Sequence, residues 1–355
     1  MSSMFGKRLR ISLFGQSHGE CIGCVIDGLP AGETVDMEML RAFMKRRAPG
    51  GNYTTSRNES DEPHIVSGIF NGKTCGAPLC VLIKNTDVRS KDYEQMKDMP
   101  RPGHADYPAE VKYNGFQDYR GGGHFSARIT AALAAAGGIC IQILKRRNIE
   151  IGAHLLNVGG VTDIQFDPMR VDKSDFDIIH SGFPTISAEA EGKMKDIIEN
   201  IREQSDSIGG IVECAVIGLP IGIGEPMFDG IENAISKAIF AIPAAKGIEF
   251  GEGFRAASMK GSQNNDPYEW KDGKPVMQSN HAGGILGGLA DGEAVIFRVA
   301  FKPTPSIAIS QHTVSMSARR DAILEISGRH DPCVAVRAVP VVEAAAAIAI
   351  ADMVL

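Results

Sequence analysis

The sequence predicts an α+β fold: core helices enclosed by mainly antiparallel strands, the whole arrangement built twice. Three observations predict it. Segments half a chain apart match without a gap, Ser17-His18-Gly19 with Ser207-Ile208-Gly209, Cys24 with Cys214, and Gly28-Leu29-Pro30-x-Gly32 with Gly218-Leu219-Pro220-x-Gly222. Gly72, Lys84 and Thr86 match Gly292, Lys302 and Thr304 after a two-residue adjustment, and such self-similarity is read before local pattern. Helical patterns at 36–47, 125–147, 229–242 and 340–355 fall in equivalent places of the two halves. The strands do not alternate regularly with helices, as a doubly wound sheet requires, so layers of helix against antiparallel sheet are the simpler way to bury each apolar face. The predicted organisation is one domain over 1–355 with pseudo-repeated halves at 9–147 and 207–355 and a peripheral insertion at 148–206.

Strands at 9–14 and 22–27 flank the Ser-His turn. Asp36 is a good N-cap for the first helix, and Leu40, Phe43 and Met44 share one face of it. Lys45-Arg46-Arg47 occupies its last turn, favourable to the helix dipole, before Ala48-Pro49-Gly50-Gly51 ends it. A polar loop at 52–61 precedes strands at 64–70 and 79–84, and 85–124 is long and irregular. A charged helix is predicted over 187–204, with Met194, Ile197, Ile198 and Ile201 as its apolar stripe. After a strand at 209–218, the helix beyond Asp229 puts Ile231, Ile235, Ile239 and Ile242 on one face. A polar loop at 248–283 and a strand at 294–301 follow, and the last helix starts at Pro340, a residue suited to a first helical position.

With 43% apolar residues among 355, the chain can bury a large core, and 40 glycines with 6% aromatics point to tight turns and close backbone packing. A net charge of −6 argues against bulk nucleic-acid binding, which needs a basic field, while leaving room for a local arginine cluster. The 7 cysteines are scattered, and Cys21-x-x-Cys24 has no second pair, so no metal site is expected and the thiols fit a reduced, cytoplasmic setting. Residues 1–10 lack the apolar core of a signal peptide, and the alanine-rich stretches at 131–136 and 344–350 read as core helices, so no membrane partner is expected.

The candidate chemistry lies in the loops. Gly15-Gln16-Ser17-His18-Gly19 sets a hydroxyl and an imidazole between glycines, and imidazole is the side chain suited to proton transfer near neutrality. Arg101-Pro102-Gly103-His104-Ala105-Asp106 presents a second histidine between an arginine and an aspartate. Gly121-Gly122-Gly123 precedes a helix, a ready anion cradle, yet it is neither a phosphate-binding Gly-Lys-Ser/Thr loop nor a dinucleotide Gly-x-Gly-x-x-Gly. Lys302-Pro303-Thr304-Pro305-Ser306 is a rigid extended run carrying a cation and hydroxyls.

Together these stretches, with Gln278-Ser-Asn-His-Ala-Gly-Gly-Ile-Leu-Gly-Gly288, Gly328-Arg-His-Asp-Pro-Cys-Val334 and Arg337-Ala-Val-Pro340, resemble the chorismate synthase family, in order along nearly the whole chain. The resemblance implies a β-α-β sandwich, a homotetramer, and reduced FMN as cofactor. It implies 5-enolpyruvylshikimate 3-phosphate as substrate and a 1,4-elimination of phosphate without net redox change, the flavin being kept reduced by an external reductant. It also implies roles: His18 protonates the leaving phosphate, His104 is a proton donor beside the reduced flavin, Asp331 assists proton removal, and Ser17 and Ser126 orient the histidines or relay protons. Arg46, Arg57, Arg101 and Arg128 would hold the substrate. His124, Phe125, Ser126, Ala244, Gly287, Lys302, Pro303, Thr304, Pro305, Ser306 and Arg329 would hold FMN. Family members commonly have Arg-Ser-Ser where this chain has His124-Phe125-Ser126, often an arginine at Asn52 and frequently an asparagine at Pro243. These departures are expected to shift affinity and not to abolish function.

Overall fold

A computed structural model describes residues 3–50, 53–55, 59–87, 90–180, 182–326 and 330–355. One five-stranded antiparallel sheet contains β1 (Met4–Phe5), β2 (Arg10–Gly15), β3 (Cys21–Asp27), β4 (His64–Ser67) and β5 (Leu79–Lys84), in the order β1-β2-β3-β5-β4. The other contains β6 (Glu150–Val158), β7 (Val161–Thr162), β8 (Gly210–Ile217), β9 (Ala245–Phe250) and β10 (Val295–Phe301), in the order β9-β10-β8-β6-β7. Setting aside β1 and β7, each sheet runs first, second, fourth, third strand in chain order. The matching cysteines Cys24 and Cys214 lie at zero exposure in β3 and β8.

Between the sheets lie α1 (Met37–Arg47), α3 (Thr130–Lys145), α6 (Ile231–Ile239) and α7 (Val334–Val354), while α2 (Asp106–Lys112) belongs to the long loop of the first half. α3 packs on the first sheet, α7 on the second, and the two helices pack on each other. Small side chains make that approach possible: a Cβ at Gly137 would lie 2.3 Å from the Ala344 Cβ. The stretches Ala127–Lys145 and Val334–Val354 are apolar enough to cross a membrane by length and composition, but most of each is buried within the fold.

Three expectations need correction. α7 begins at Val334, so Pro340 lies inside the helix. Its missing N–H costs one helical bond, offset here by packing, since residues from Ala338 to Ala351 are buried without a break. The stretch 148–206 is not wholly peripheral, because it opens with β6, nearly all buried and paired along its length with β8. The sequence reading missed β6 for lack of an echo in its residues. Only the later part is an outer layer: α4 (Lys173–His180) and α5 (Ala188–Glu203), the latter capped by Ser187 and buried through Met194 and Ile198. Finally, the irregular 85–124 contains short helical segments at Ser90–Lys97 and Asp106–Lys112.

Candidate active site

The turn joining β2 to β3 carries Ser17 and His18, both buried. Against it folds the glycine triplet, whose φ angles of 61°, 81° and 55° at Gly121, Gly122 and Gly123 are cheap only for glycine. A Cβ at Gly121 would lie 2.1 Å from His18 Nδ1 and 2.7 Å from Ser17 Oγ, and one at Gly122 would lie 3.1 Å from His104 Nε2. The triplet is thus the spacer that lets two histidines converge from separate loops. Ser17 N–H donates to the Gly123 carbonyl at 3.0 Å, and Tyr93 packs edge-on to the His18 ring at 5.0 Å between centroids. Ser17 Oγ is buried with no hydrogen-bond partner among the described residues, a state that costs free energy until a ligand or water bonds it.

In front of the triplet opens a cavity of about 470 Å³, within the range of small-molecule sites. The first half contributes Arg101, His104, His124, Phe125, Ser126 and Arg128, and the second contributes Ala244, Lys302, Thr304, Pro305, Ser306 and Asp331. Ser17 and His18 stand behind Gly121, which lines the wall. Ala244 holds φ at 72°, a left-handed state uncommon for a residue other than glycine, and its carbonyl accepts from Lys302 N–H at 3.0 Å. Lys302 Nζ donates to the Gly103 carbonyl at 2.8 Å, tying the second half to the His104 turn. Burial, with the Lys246 charge, pushes its ammonium pKa down.

Three expected binding residues do not line this wall. Arg46 turns away and pairs through both terminal nitrogens with Glu343, at 2.6 and 2.8 Å. Gly287 sits exposed in the tight turn between Ile285–Leu286 and Leu289–Ala290, a position set by turn geometry. Pro303 connects lining residues without lining the cavity itself. Arg57 and Arg329, like Asn52, lie outside the described residues.

The sequence reading missed Arg47, Arg337, Glu59 and Asp61. Arg47 follows Leu40 and Met44 on the buried stripe of α1, so extending the helical period by one more turn selects it over Arg46. Its guanidinium donates to Asp61 at 2.5 Å, to Thr130 Oγ1 at 3.2 Å and to the Ala127 carbonyl at 3.0 Å. Arg128 also pairs with Asp61, and donates to Asn85 Oδ1 at 2.9 Å. Arg337 donates to Asp331 at 2.7 Å, while Thr55 N–H donates to the other Asp331 oxygen at 2.9 Å.

Among the described residues, five cations (Arg47, Arg101, Arg128, Lys302 and Arg337) line the cavity against two carboxylates, Glu59 and Asp331. Burial pulls the Arg47 guanidinium down to about 10, against the Asp61 charge and helped by the charges of Arg337 and Arg128. Burial would raise the Asp61 carboxyl, but the Arg47 and Arg128 charges outweigh it and hold the group below the usual carboxylate range. Crowded guanidiniums of this kind are relieved by a bound polyanion.

The chorismate synthase family profile matches residues 9–355. The chain belongs to the chorismate synthase family. It is 45% identical to a chorismate synthase of Dehalococcoides mccartyi, covering 100% of this chain and 97% of the relative. It is 45% identical to one of Korarchaeum cryptofilum, covering 98% and 96% respectively. A solved chorismate synthase crystal structure superposes with a TM-score of 0.76 at 26% identity, covering 98% of this chain and 92% of the other. Membership in the chorismate synthase family makes the chain a lyase of the shikimate pathway, in aromatic amino acid biosynthesis, and the α+β fold agrees with that of the solved structure.

Proposed function

We propose that this chain converts 5-enolpyruvylshikimate 3-phosphate to chorismate, a 1,4-elimination that breaks the C–O bond to phosphate and the C6–H bond, and that it does so with reduced FMN. The observation that carries the reading is the convergence of His18 and His104 on one glycine triplet, in a cavity lined by five cations against two carboxylates among the described residues. Substrate and flavin together bring two phosphates and two carboxylates, so the charge is of the right sign, and guanidinium suits both groups.

The residues present fit the flavin. Gly121 lines the cavity wall without a side chain, Phe125 offers an aromatic ring 39% exposed, and Lys302 brings a cation. FMN would be held by His124 to Ser126, Ala244, Lys302 to Ser306 and Arg329. When bound and reduced, it supplies electron density as phosphate departs and recovers it as the C6 hydrogen leaves. His18 protonates the departing phosphate, and Ser17, buried against the same glycine, relays that proton or orients the ring. His104 holds a proton toward the flavin side of the cavity. Asp331, fixed by Arg337 and the Thr55 N–H, receives the proton from C6, and Ser126, which lines the same cavity, orients a histidine or relays a proton. Arg47 takes the substrate-binding role the sequence reading gave to Arg46, alongside Arg57, Arg101 and Arg128.

We further read the two sheets as copies of one unit, the second opening at β6. We also infer a cytoplasmic homotetramer served by an external flavin reductant, an assembly that would cover the exposed side chains of Ile221, Met227 and Phe228. The test is anaerobic turnover: purified protein with catalytic FMN, dithionite and enolpyruvylshikimate phosphate should release chorismate and phosphate in equal amounts without consuming reduced flavin. Stoichiometric flavin oxidation would instead indicate a reductase.

A further inference from the structure

We propose that Asp106 is the positioning residue of this site: its single carboxylate fixes which nitrogen of His104 carries a proton and fixes the plane of Arg101. The inference rests on the reading of His104 as a proton donor and extends it to a residue outside the chemistry itself.

Asp106 is the first residue of α2 and is 8% exposed. One of its oxygens, Oδ1, meets His104 Nδ1 at 2.5 Å and accepts from Arg101 Nη2 at 2.8 Å. The other, Oδ2, accepts from the Arg101 backbone N–H at 3.0 Å and from Nε at 2.7 Å. A nitrogen and a carboxylate oxygen 2.5 Å apart must share a proton. Burial would raise the Asp106 carboxyl, but the hydrogen bonds from Arg101 and His104, with their charges, outweigh it and hold the group far below the usual range. An ionised carboxylate has no proton to give, so the shared proton sits on Nδ1.

The consequence is a fixed tautomer. Whatever the charge of the ring, Nε2 is the exchanging atom, and Nε2 is the edge that faces Gly122 in the cradle. Arg101 locks the ring further: Nη2 is 3.0 Å from Nδ1 and 3.3 Å from Nε2, nearly equidistant, which places it over the ring face. With Nη1 donating to Ser306 Oγ at 3.1 Å, the guanidinium is held on three sides. One carboxylate thereby orients an acid and a cation that reach the cavity from the same turn.

The substitution Asp106→Asn reverses this logic. Two Arg101 N–H groups converge on Oδ2, so the amide oxygen belongs there and the amide nitrogen is left facing His104. That nitrogen needs a lone pair on Nδ1, which moves the ring proton to Nε2. The experiment uses full-length enzyme with ¹⁵N-labelled histidine, the His104 signals assigned by their loss in His104→Ala, alongside steady-state kinetics. The expected results are an Nδ1–H tautomer for neutral His104 in the native enzyme, its loss in D106N, and kcat reduced about 10²-fold or more with KM changed much less. A native Nε2–H tautomer, an unchanged tautomer in D106N, or a kcat near that of the native enzyme would overturn the proposal. Should D106N fail to fold, the tautomer of the native enzyme decides alone. Absence of elimination by the native enzyme would sink the functional reading while leaving the tautomer result to stand by itself.

Discussion

His18 and Ile208 occupy matching places in the two halves, each just ahead of the second strand of its sheet, and they do opposite things. His18 points its ring at the glycine triplet and the cavity behind it. Ile208 donates its backbone N–H to the Pro332 carbonyl at 2.8 Å and packs its side chain toward Gly159, where a Cβ would come within 2.5 Å of it. Its neighbour Ser207 donates from Oγ to the Thr304 carbonyl at 2.7 Å. The second turn therefore braces the two segments, 302–306 and 330–334, that bring Lys302 and Asp331 to the cavity. The same local backbone serves chemistry in one half and support in the other, and the deciding difference is what packs against it: glycines at His18, core and binding segments at Ile208.

The sharpest way to break that contrast is to exchange the residues. His18→Ile should lower kcat at least about 10²-fold with the melting temperature little changed, because isoleucine fills a volume close to that of the imidazole ring. Near-normal turnover would remove His18 from the mechanism. Ile208→His should do the reverse, costing about 1–3 kcal/mol of stability through a poorly paired polar ring in a packed site, with activity within a few-fold of native.

How much of this was legible in the sequence follows from the same contrast. The strands and helices around the echoed segments were readable because apolar period and turn glycines recur in both copies; β6 lacked an echo and was assigned to the periphery. Pro340 misled because a proline inside a helix is costly in isolation, and the local sequence does not reveal the burial that offsets the cost. His18, His104 and Asp331 were named through motifs, and the structure places His104 and Asp331 in the cavity wall and His18 behind Gly121. Asp61 carried no signal. It sits in a polar loop, and its value lies in meeting Arg47 and Arg128 from other parts of the chain.

Arg46 and Arg47 offer a second contrast, one bond apart in the chain and on different faces of α1. Arg47→Ala should raise KM for the substrate about 10–100-fold, the range for losing a charge-assisted hydrogen bond. Arg46→Ala should leave KM within a few-fold and act on stability, because it strands the buried Glu343 carboxylate at a cost of about 3 kcal/mol. Glu343 gives this a pH signature. Burial alone would raise its pKa, but the Arg46 charge and the hydrogen bonds from His180 and Arg46 bring it down to about 2. A carboxylate depressed in the folded state adds stability above its unfolded pKa and loses it as pH falls through the folded value. The native enzyme should therefore lose this contribution between the ordinary carboxylate range and pH about 2, and R46A should show a shallower loss there in denaturant titrations. Equal slopes would mean that His180 and the Ala153 N–H, which donates to Glu343 at 3.0 Å, suffice without Arg46.

The smallest expected effect concerns His124, where the family commonly has arginine. Its ring is already committed: Nδ1 donates to the Gly15 carbonyl at 2.8 Å, and Nε2 and Ser3 Oγ share a hydrogen bond at 2.8 Å. The residue straps the N-terminal segment to the end of β2. His124→Arg introduces a permanent charge and gives up the strap. One partly exposed charge-assisted contact is worth about 1 kcal/mol, so FMN should bind about fivefold more tightly in a fluorescence-quenching titration, with a small drop in melting temperature and kcat within about twofold. A tighter complex would place position 124 at the flavin phosphate and leave Lys302 as the cation that compensates in this chain. An unchanged dissociation constant would instead mean that this wall does not meet the phosphate, and the cofactor's anionic end would have to be sought along Lys302 to Ser306.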